Sequence, residues 1–334
     1  MSMTRRSFMA TTAMTLTALA LTGTAALADT TLDLSTPWPD GNFHTTTVTD
    51  FAEAVSAATE GRVKITIHSG GSMGFKGPEL MAALRDGLVP MADVPTFQQI
   101  GEEPLLGINT VPFLLSSFDD LTIMQKIAMP KYEEIAERNN IKFLYFVPWP
   151  TQYLHLKEPI ESLDALKGQR IRAAEKGAAD LANSLGASGV VMPWGEVVPA
   201  LASGRLEGVL TSASSAVDGR FWEFMKVSYR TAHTLSVEAV AISLDAWNGI
   251  DAADQEAIME LAAEKQAEYW EVAAADDAKS TATLEENGMQ VVDVPAEMMT
   301  EMRSRAAEFI EEFETRVPES EPLIKAFLAE TGRS

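Results

Sequence analysis

Cysteine is absent from all 334 residues. That excludes a disulfide scaffold, a thiolate metal site, a cysteine nucleophile and a lipid-anchored N-terminal cysteine. Histidine is scarce: His44, His68, His155 and His233 are scattered, and no two have the H-x₃-H or H-E-x-x-H spacing of a zinc site. Carboxylates are plentiful but show no calcium-loop spacing, and neither a Walker nor a dinucleotide glycine motif occurs. Positive charge is in deficit, 26 Lys+Arg against 48 Asp+Glu for a net −22, and so acidic an exterior repels phosphate backbones. The expectation is no metal, no cofactor and no nucleic-acid partner. Long apolar runs are missing too, since nothing after the first segment approaches the roughly 18 to 20 residues that cross a bilayer.

What is present starts with that first segment. Residues 1–28 contain no acid and read as a charged start with Arg5-Arg6, an apolar run from Met9 to Leu21, and Ala26-Leu27-Ala28 before Asp29. This is the pattern of a cleavable export signal. Thr4-Arg5-Arg6-Ser7-Phe8-Met9 resembles the twin-arginine type, with an ordinary secretory signal as the alternative. Either route predicts a periplasmic or extracellular protein of 306 residues, with the net charge moved to −24 by the loss of two arginines.

The remaining chain has room for roughly two domains, and 46% hydrophobic residues supply a substantial core. Short β-rich runs alternate with helical patterns, which predicts an α/β fold with largely parallel sheets. The strand candidates are residues 31–36, 63–68, 91–96, 142–147, 170–173, 208–212, 239–244 and 290–294. Val48, Phe51, Ala52, Val55 and Ala58 fall at helical spacing before Gly61, and another helix follows Gly77-Pro78 and closes at Gly87. From Asp251 to about Asn287 the helical pattern outlasts the roughly 8 to 20 residues of an ordinary globular helix, long enough to run across two domains. One more helix is expected from Ala296 to Arg316, ended by Pro318. No Ser/Gly linker divides the chain, so two domains imply more than one crossing, and Pro148-Trp149-Pro150 is a stiff candidate for one.

Two constellations compete for the chemistry. Gly70-Gly71-Ser72-Met73-Gly74 matches a nucleophile elbow between a strand and a helix, with His155 or His233 available as base for an exported serine hydrolase. The other is basic and aromatic. Leu166-Lys167-Gly168-Gln169-Arg170-Ile171-Arg172 sets two arginines on alternate positions of a short strand, which are either two solvated residues or one solvated and one turned into a cleft. Met192-Pro193-Trp194-Gly195-Glu196 then leads through a short helix to Gly204 and a strand ending at Thr211-Ser212.

The second constellation carries a resemblance that covers essentially the whole exported chain. The segment Pro159 to Arg172, continued to Gly186-Ala187, the Pro193-Trp194-Gly195-Glu196-Val197 block and Ala200-Leu201-Ala202-Ser203-Gly204 are similar to the DctP-type substrate-binding proteins of tripartite ATP-independent periplasmic (TRAP) transporters. Lys76-Gly77-Pro78-Glu79 and Phe221-Trp222-Glu223 fit the same family. The resemblance implies a two-lobed periplasmic solute-binding fold with an interlobe cleft, crossing hinge strands and a long helix spanning both lobes. It implies lobe I from 29–149 plus 238–277, and lobe II from 150–237 plus 278–334. It also implies that Arg172 clamps a ligand carboxylate, that Trp194 lines the cleft and that Thr211 offers a hydroxyl. Trp38, Phe43, Trp149, Gln152 and His233 lie in segments that approach the cleft in this family. The implied partners are a small organic acid and the TRAP membrane permease subunits, and the implied state is a monomer that binds without catalysis. A solute sensor shares these features. One departure stands out: many members carry a Gly-Gln-Glu-Asn type sequence where this chain has Gly208-Val209-Leu210-Thr211-Ser212, so its polar contacts at that strand end are its own.

Overall fold

The computed structural model describes residues 30–333, and the export-signal expectation for 1–28 lies outside the described residues. The chain opens with β1 (Thr30–Ser35), α1 (Phe43–Ala58), β2 (Val63–His68), α2 (Leu80–Arg85), β3 (Met91–Pro95), α3 (Phe118–Arg138) and β4 (Ile141–Pro148). It continues with β5 (Gln152–Leu156), β6 (Arg170–Ala173), α4 (Lys176–Ser184), β7 (Ser188–Val191), α5 (Val197–Ala202), β8 (Gly208–Ser212), α6 (Ala213–Asp218) and β9 (Val227–Arg230). After β10 (Val237–Ser243) and α7 (Leu244–Asn248), α8 (Ala252–Glu286) leads to β11 (Gln290–Asp293), and α9 (Ala296–Arg305), α10 (Phe309–Arg316) and α11 (Glu321–Glu330) end the fold.

These elements make two sheets, ordered β2-β1-β3-β10-β4 and β11-β9-β5-β8-β6-β7. The chain passes between them at Trp149–Thr151, again at Thr231–Ser236, and a third time along α8. The first two passages are zipped together where the Trp149 amide donates to the Ser236 carbonyl at 2.8 Å. The expectation of largely parallel sheets needs correcting. β10 runs antiparallel to β3 and β4, and β5 antiparallel to β8 and β9. β10 enters directly from the other sheet, not by a crossover that would return it alongside β3 or β4, and takes its direction from that crossing.

α8 is 35 residues long, about 50 Å at roughly 1.5 Å per residue. Its Ile258, Ala262, Tyr269 and Ala273 join the core of the first sheet, while Leu284 joins that of the second. Polar ties follow the same division: Arg62 pairs with Asp254 at 2.8 Å on the first side, and Arg230 with Asp277 at 3.0 Å on the second. The single helix expected over 296–316 is two. Met298 and Met302 pack in the second lobe's core and Phe313 in the first's, and the turn at 306–308 lets the apolar face switch sides. α11 likewise packs Ile324 and Phe327 with α3 and the first sheet, although the sequence groups 278–334 with the second lobe. β5, β7 and β9 are absent from the sequence expectation. Gln152 and His155 interrupt the apolar pattern of β5, and β7 and β9 are only four residues each.

Gly189 in β7 is required by close approach, because a Cβ there would stand 2.4 Å from the Ala179 carbonyl oxygen of α4. Gly189→Ala forces α4 off the sheet and should lower stability by about 1–3 kcal/mol. Chemical denaturation checks this, and an unchanged midpoint contradicts it.

Candidate functional site

Between the sheets lies a small cavity of about 30 Å³ built from both crossings and from strand ends. Its wall includes Trp38, Trp149, Gln152, Arg172, Trp194, Thr211 and His233, together with Phe97, Thr110, Glu175, Ser215, Thr234 and Ser236. Seven of the eight sequence candidates therefore converge, and Phe43 does not: it stands behind Trp149, edge-on at 5.4 Å. The polar residues that went unnoticed, notably Glu175 and Ser215, come from helix caps and from the start of α6. No spacing in the chain marks such residues as cavity wall.

Each main member is positioned by local chemistry. Trp149 sits between two prolines that keep its segment extended. Gln152 donates from Nε2 to the Pro150 carbonyl at 3.0 Å, which folds its side chain back on the crossing. Trp38 meets Trp149 edge-on at 4.7 Å and Trp194 at 6.5 Å, so three indoles form one aromatic wall. Trp194 is carried on a short 3₁₀ turn, Trp194–Glu196, and stacks over Phe221 at 6.3 Å. Edge-on aromatic pairs of this kind are directional and hold one another in place.

Arg172 is the charged member. Arg170 and Arg172 share a face of β6 but not an environment: Arg170 is exposed and ion-paired with Glu207 at 2.6 Å, whereas Arg172 is 1% exposed. Its Nε donates to the Met192 carbonyl at 2.9 Å. Among the described residues no carboxylate lies within ion-pairing distance of it, and Glu175 acts on it only through space. Burial pushes its pKa down to about 10, which leaves it charged at neutral pH. Glu175 caps α4, accepting from the Ala178 amide at 2.8 Å and from the Gly177 amide, yet burial raises its carboxyl to about 7. His233 is hydrogen-bonded to Thr231 at 2.7 Å and pushed down to about 3 by burial, so it is neutral. A buried guanidinium without a paired anion is costly, and such a site selects an anion that supplies the missing charge.

The cavity is shut by contacts across the cleft. Asn42 caps α1 through Oδ1, which accepts from the His44 amide at 2.8 Å, and donates from Nδ2 to Asp218 of α6 at 2.6 Å. Lys76 pairs with Glu196 at 2.6 Å. A larger, mainly apolar cavity of about 390 Å³ adjoins the site, sharing Phe97, Thr110, Ala174 and Glu175 with it, but Arg172 does not line it.

The hydrolase constellation is not assembled. Ser72 is exposed on its turn, while His155 is bonded to Ser228 and to the Thr211 carbonyl, and His233 to Thr231. Among the described residues no group of three or more His, Asp or Glu is placed to hold a metal, and no helix is long and apolar enough to cross a membrane.

Comparison with known proteins fits this geometry. Residues 34–316 match the model of DctP, described as bacterial extracellular solute-binding protein, family 7. A solute-binding protein of Albidiferax ferrireducens is 25% identical over 261 residues, 76% of each chain. Among solved structures, DctP7 of Bordetella pertussis, an extracytoplasmic solute receptor binding pyroglutamic acid, superposes with a TM-score of 0.86 at 28% identity, covering 89% of this chain and 99% of that one. A marine metagenome TRAP solute-binding protein specific for pyroglutamate also gives 0.86 at 28% identity, covering 90% and 99%. A Chromohalobacter salexigens TRAP periplasmic solute-binding protein with bound D-glucuronate shares the fold, with a TM-score of 0.82 at 20% identity over 89% of this chain and 98% of that one. The two-lobed α/β fold, the cavity closed between the lobes and the match across 34–316 together make this chain a member of the DctP family, the solute-binding proteins of TRAP transporters.

Proposed function

We propose that this protein captures a small carboxylate in the periplasm by closing its lobes over Arg172, and delivers it as a monomer to the membrane permease. The observation that carries this is the charged, buried Arg172 guanidinium, with one carbonyl bond and, among the described residues, no carboxylate within ion-pairing distance. A planar guanidinium presents paired donors matched to a carboxylate, which a lysine does not reproduce. In the closed, water-poor cavity the attraction gains strength from the low local dielectric. Trp38, Trp149 and Trp194 offer flat apolar faces to the body of the ligand, and Thr211, Gln152 and His233 offer polar partners to its remaining groups.

The choice of ligand comes from the relatives: the two receptors at 28% identity bind pyroglutamate, a small ring carrying one carboxylate. Pyroglutamate is therefore the first acid to test. The lobes are taken as 29–149 plus 238–277 and 150–237 plus 278–334, except that the stretch from Phe309 onward packs back on the first lobe, with hinges at Trp149–Thr151 and Thr231–Ser236.

Isothermal calorimetry against pyroglutamate and other small organic acids should give a saturable 1:1 isotherm. Arg172→Ala should weaken it about a hundredfold to a few thousandfold, the cost of stripping one partner from a buried ion pair. Equal affinity in that variant, or no acid bound by the wild type, overturns the assignment. Closure has its own test. Asn42→Ser keeps a helix cap but loses the reach to Asp218, so affinity should fall several-fold and small-angle scattering should show a more open form. Lys76→Ala removes only an exposed pair and should change affinity less than about threefold. A larger loss at Lys76 than at Asn42 contradicts this ranking.

A further inference from the structure

Behind the aromatic wall and outside the cavity lining, two acids are buried with no cation paired to them among the described residues. Asp93 of β3 and Glu238 of β10 are 1% and 0% exposed. Val240 is directly opposite Asp93 in the antiparallel register, so Glu238, two residues away, is the diagonal neighbour of Asp93 on the same sheet face. The Trp149 indole Nε1 donates to Glu238 Oε1 at 2.6 Å, and Thr36 Oγ1 donates to Asp93 Oδ2 at 3.0 Å. The other two oxygens, Asp93 Oδ1 and Glu238 Oε2, have no partner. The Trp38 indole N–H also acts on Glu238, without forming a well-aligned bond. Two ionised carboxylates this deep, with bare oxygens and no counter-charge, repel each other, and a retained proton relieves that repulsion.

We infer that Glu238, backed by Asp93, is a positioning residue for the binding site: its carboxyl fixes the Trp149 indole in the cavity wall, and the pair keeps a proton so that the wall does not repel an anionic ligand. This rests on the carboxylate assignment above. The electrostatics agree, since burial raises Asp93 to about 7, and burial together with Asp93 raises Glu238 further above the ordinary carboxyl range. The neighbouring groups do not offset this. Tyr145 of β4 is pushed up by burial and stays neutral, and His44 of α1, 4.4 Å from Trp149, is pushed down by burial and stays neutral. Across the cavity stand Arg172, charged throughout, neutral His233, and Glu175, whose carboxyl lies at about 7 and contributes its own titration.

The sign follows from linkage. The folded state holds protons that the unfolded chain releases near pH 4, so the pair's stabilisation is full below that point and is lost as pH rises through 7 and beyond. Anion affinity should move the same way and fall roughly tenfold between pH 6 and 9.

The test follows the Trp149 indole N–H resonance of the free full chain by ¹H–¹⁵N NMR, assigned with Trp149→Phe, beside calorimetric affinity for pyroglutamate from pH 6 to 9. In the wild type the resonance should titrate and affinity should fall. Glu238→Gln keeps an acceptor for the indole but removes the acid bonded to it, so the resonance should move far less, and adding Asp93→Asn should flatten the affinity profile to the part that Glu175→Gln abolishes. Glu238→Ala should weaken binding roughly tenfold at pH 6. Asp93→Asn supplies the same pH comparison if Glu238→Ala fails to fold. An indole titration that persists unchanged in Glu238→Gln, or Glu238→Ala binding as the wild type does, overturns the inference. Should the wild type bind no organic acid, the carboxylate assignment fails, while the indole titration still decides whether the pair positions Trp149.

Discussion

A guanidinium shut inside a protein without a paired counter-ion is expensive, and in the proposed function the ligand's carboxylate is what completes Arg172. Arg172 stands near the end of a short strand, in a layer where its neighbour Arg170 has already found Glu207 at the surface. The contrast between two arginines two residues apart shows that depth, and not residue type, decides the role. One is a screened surface pair, worth little. The other is a charge with one carbonyl bond, facing a wall of three indoles.

The crossings do this structurally. Two strand-like passages, tied by the Trp149 amide and the Ser236 carbonyl, put Trp149 and Gln152 beside His233 at the seam between lobes, although the two passages are far apart in the chain. α8 spans the same seam and is anchored to each side by its own ion pair. Closure bonds from Asn42 and Lys76 bring the outer rims together. The net charge of −22 gives the exterior no general attraction for anions, and in the proposed function selection is made at the buried arginine. The acids behind the wall set a limit on the same design, because a wall that gains negative charge works against an anionic ligand.

Much of this was legible in the chain. The strands at 63–68, 170–173 and 208–212 stand where their β-branched and flanking glycine pattern puts them, and the long helix runs over nearly the span its periodicity implies. Arg172 and Trp194 were found because a distinctive run of residues surrounds them. What stayed hidden has physical reasons. β5 carries Gln152 toward the cavity and His155 on the opposite face, bonded to Ser228, so polar residues three apart break the period-2 pattern that marks a strand. Sheet direction was missed because local pattern reports a strand but not the lobe from which it arrives. Phe43 was set in the wall, but it supports Trp149 from behind, since helical position alone does not fix depth. Glu238 reads in sequence as one more acid of an acidic protein, and only its burial against Trp149 distinguishes it.

The central claim is that the ligand's carboxylate is the missing counter-ion of Arg172. A crystal structure of the protein grown with pyroglutamate tests it most directly. The account predicts the carboxylate paired to the free end of the Arg172 guanidinium, with the ring packed against Trp38, Trp149 and Trp194. A carboxylate bound elsewhere, with Arg172 still held only by the Met192 carbonyl, would contradict it.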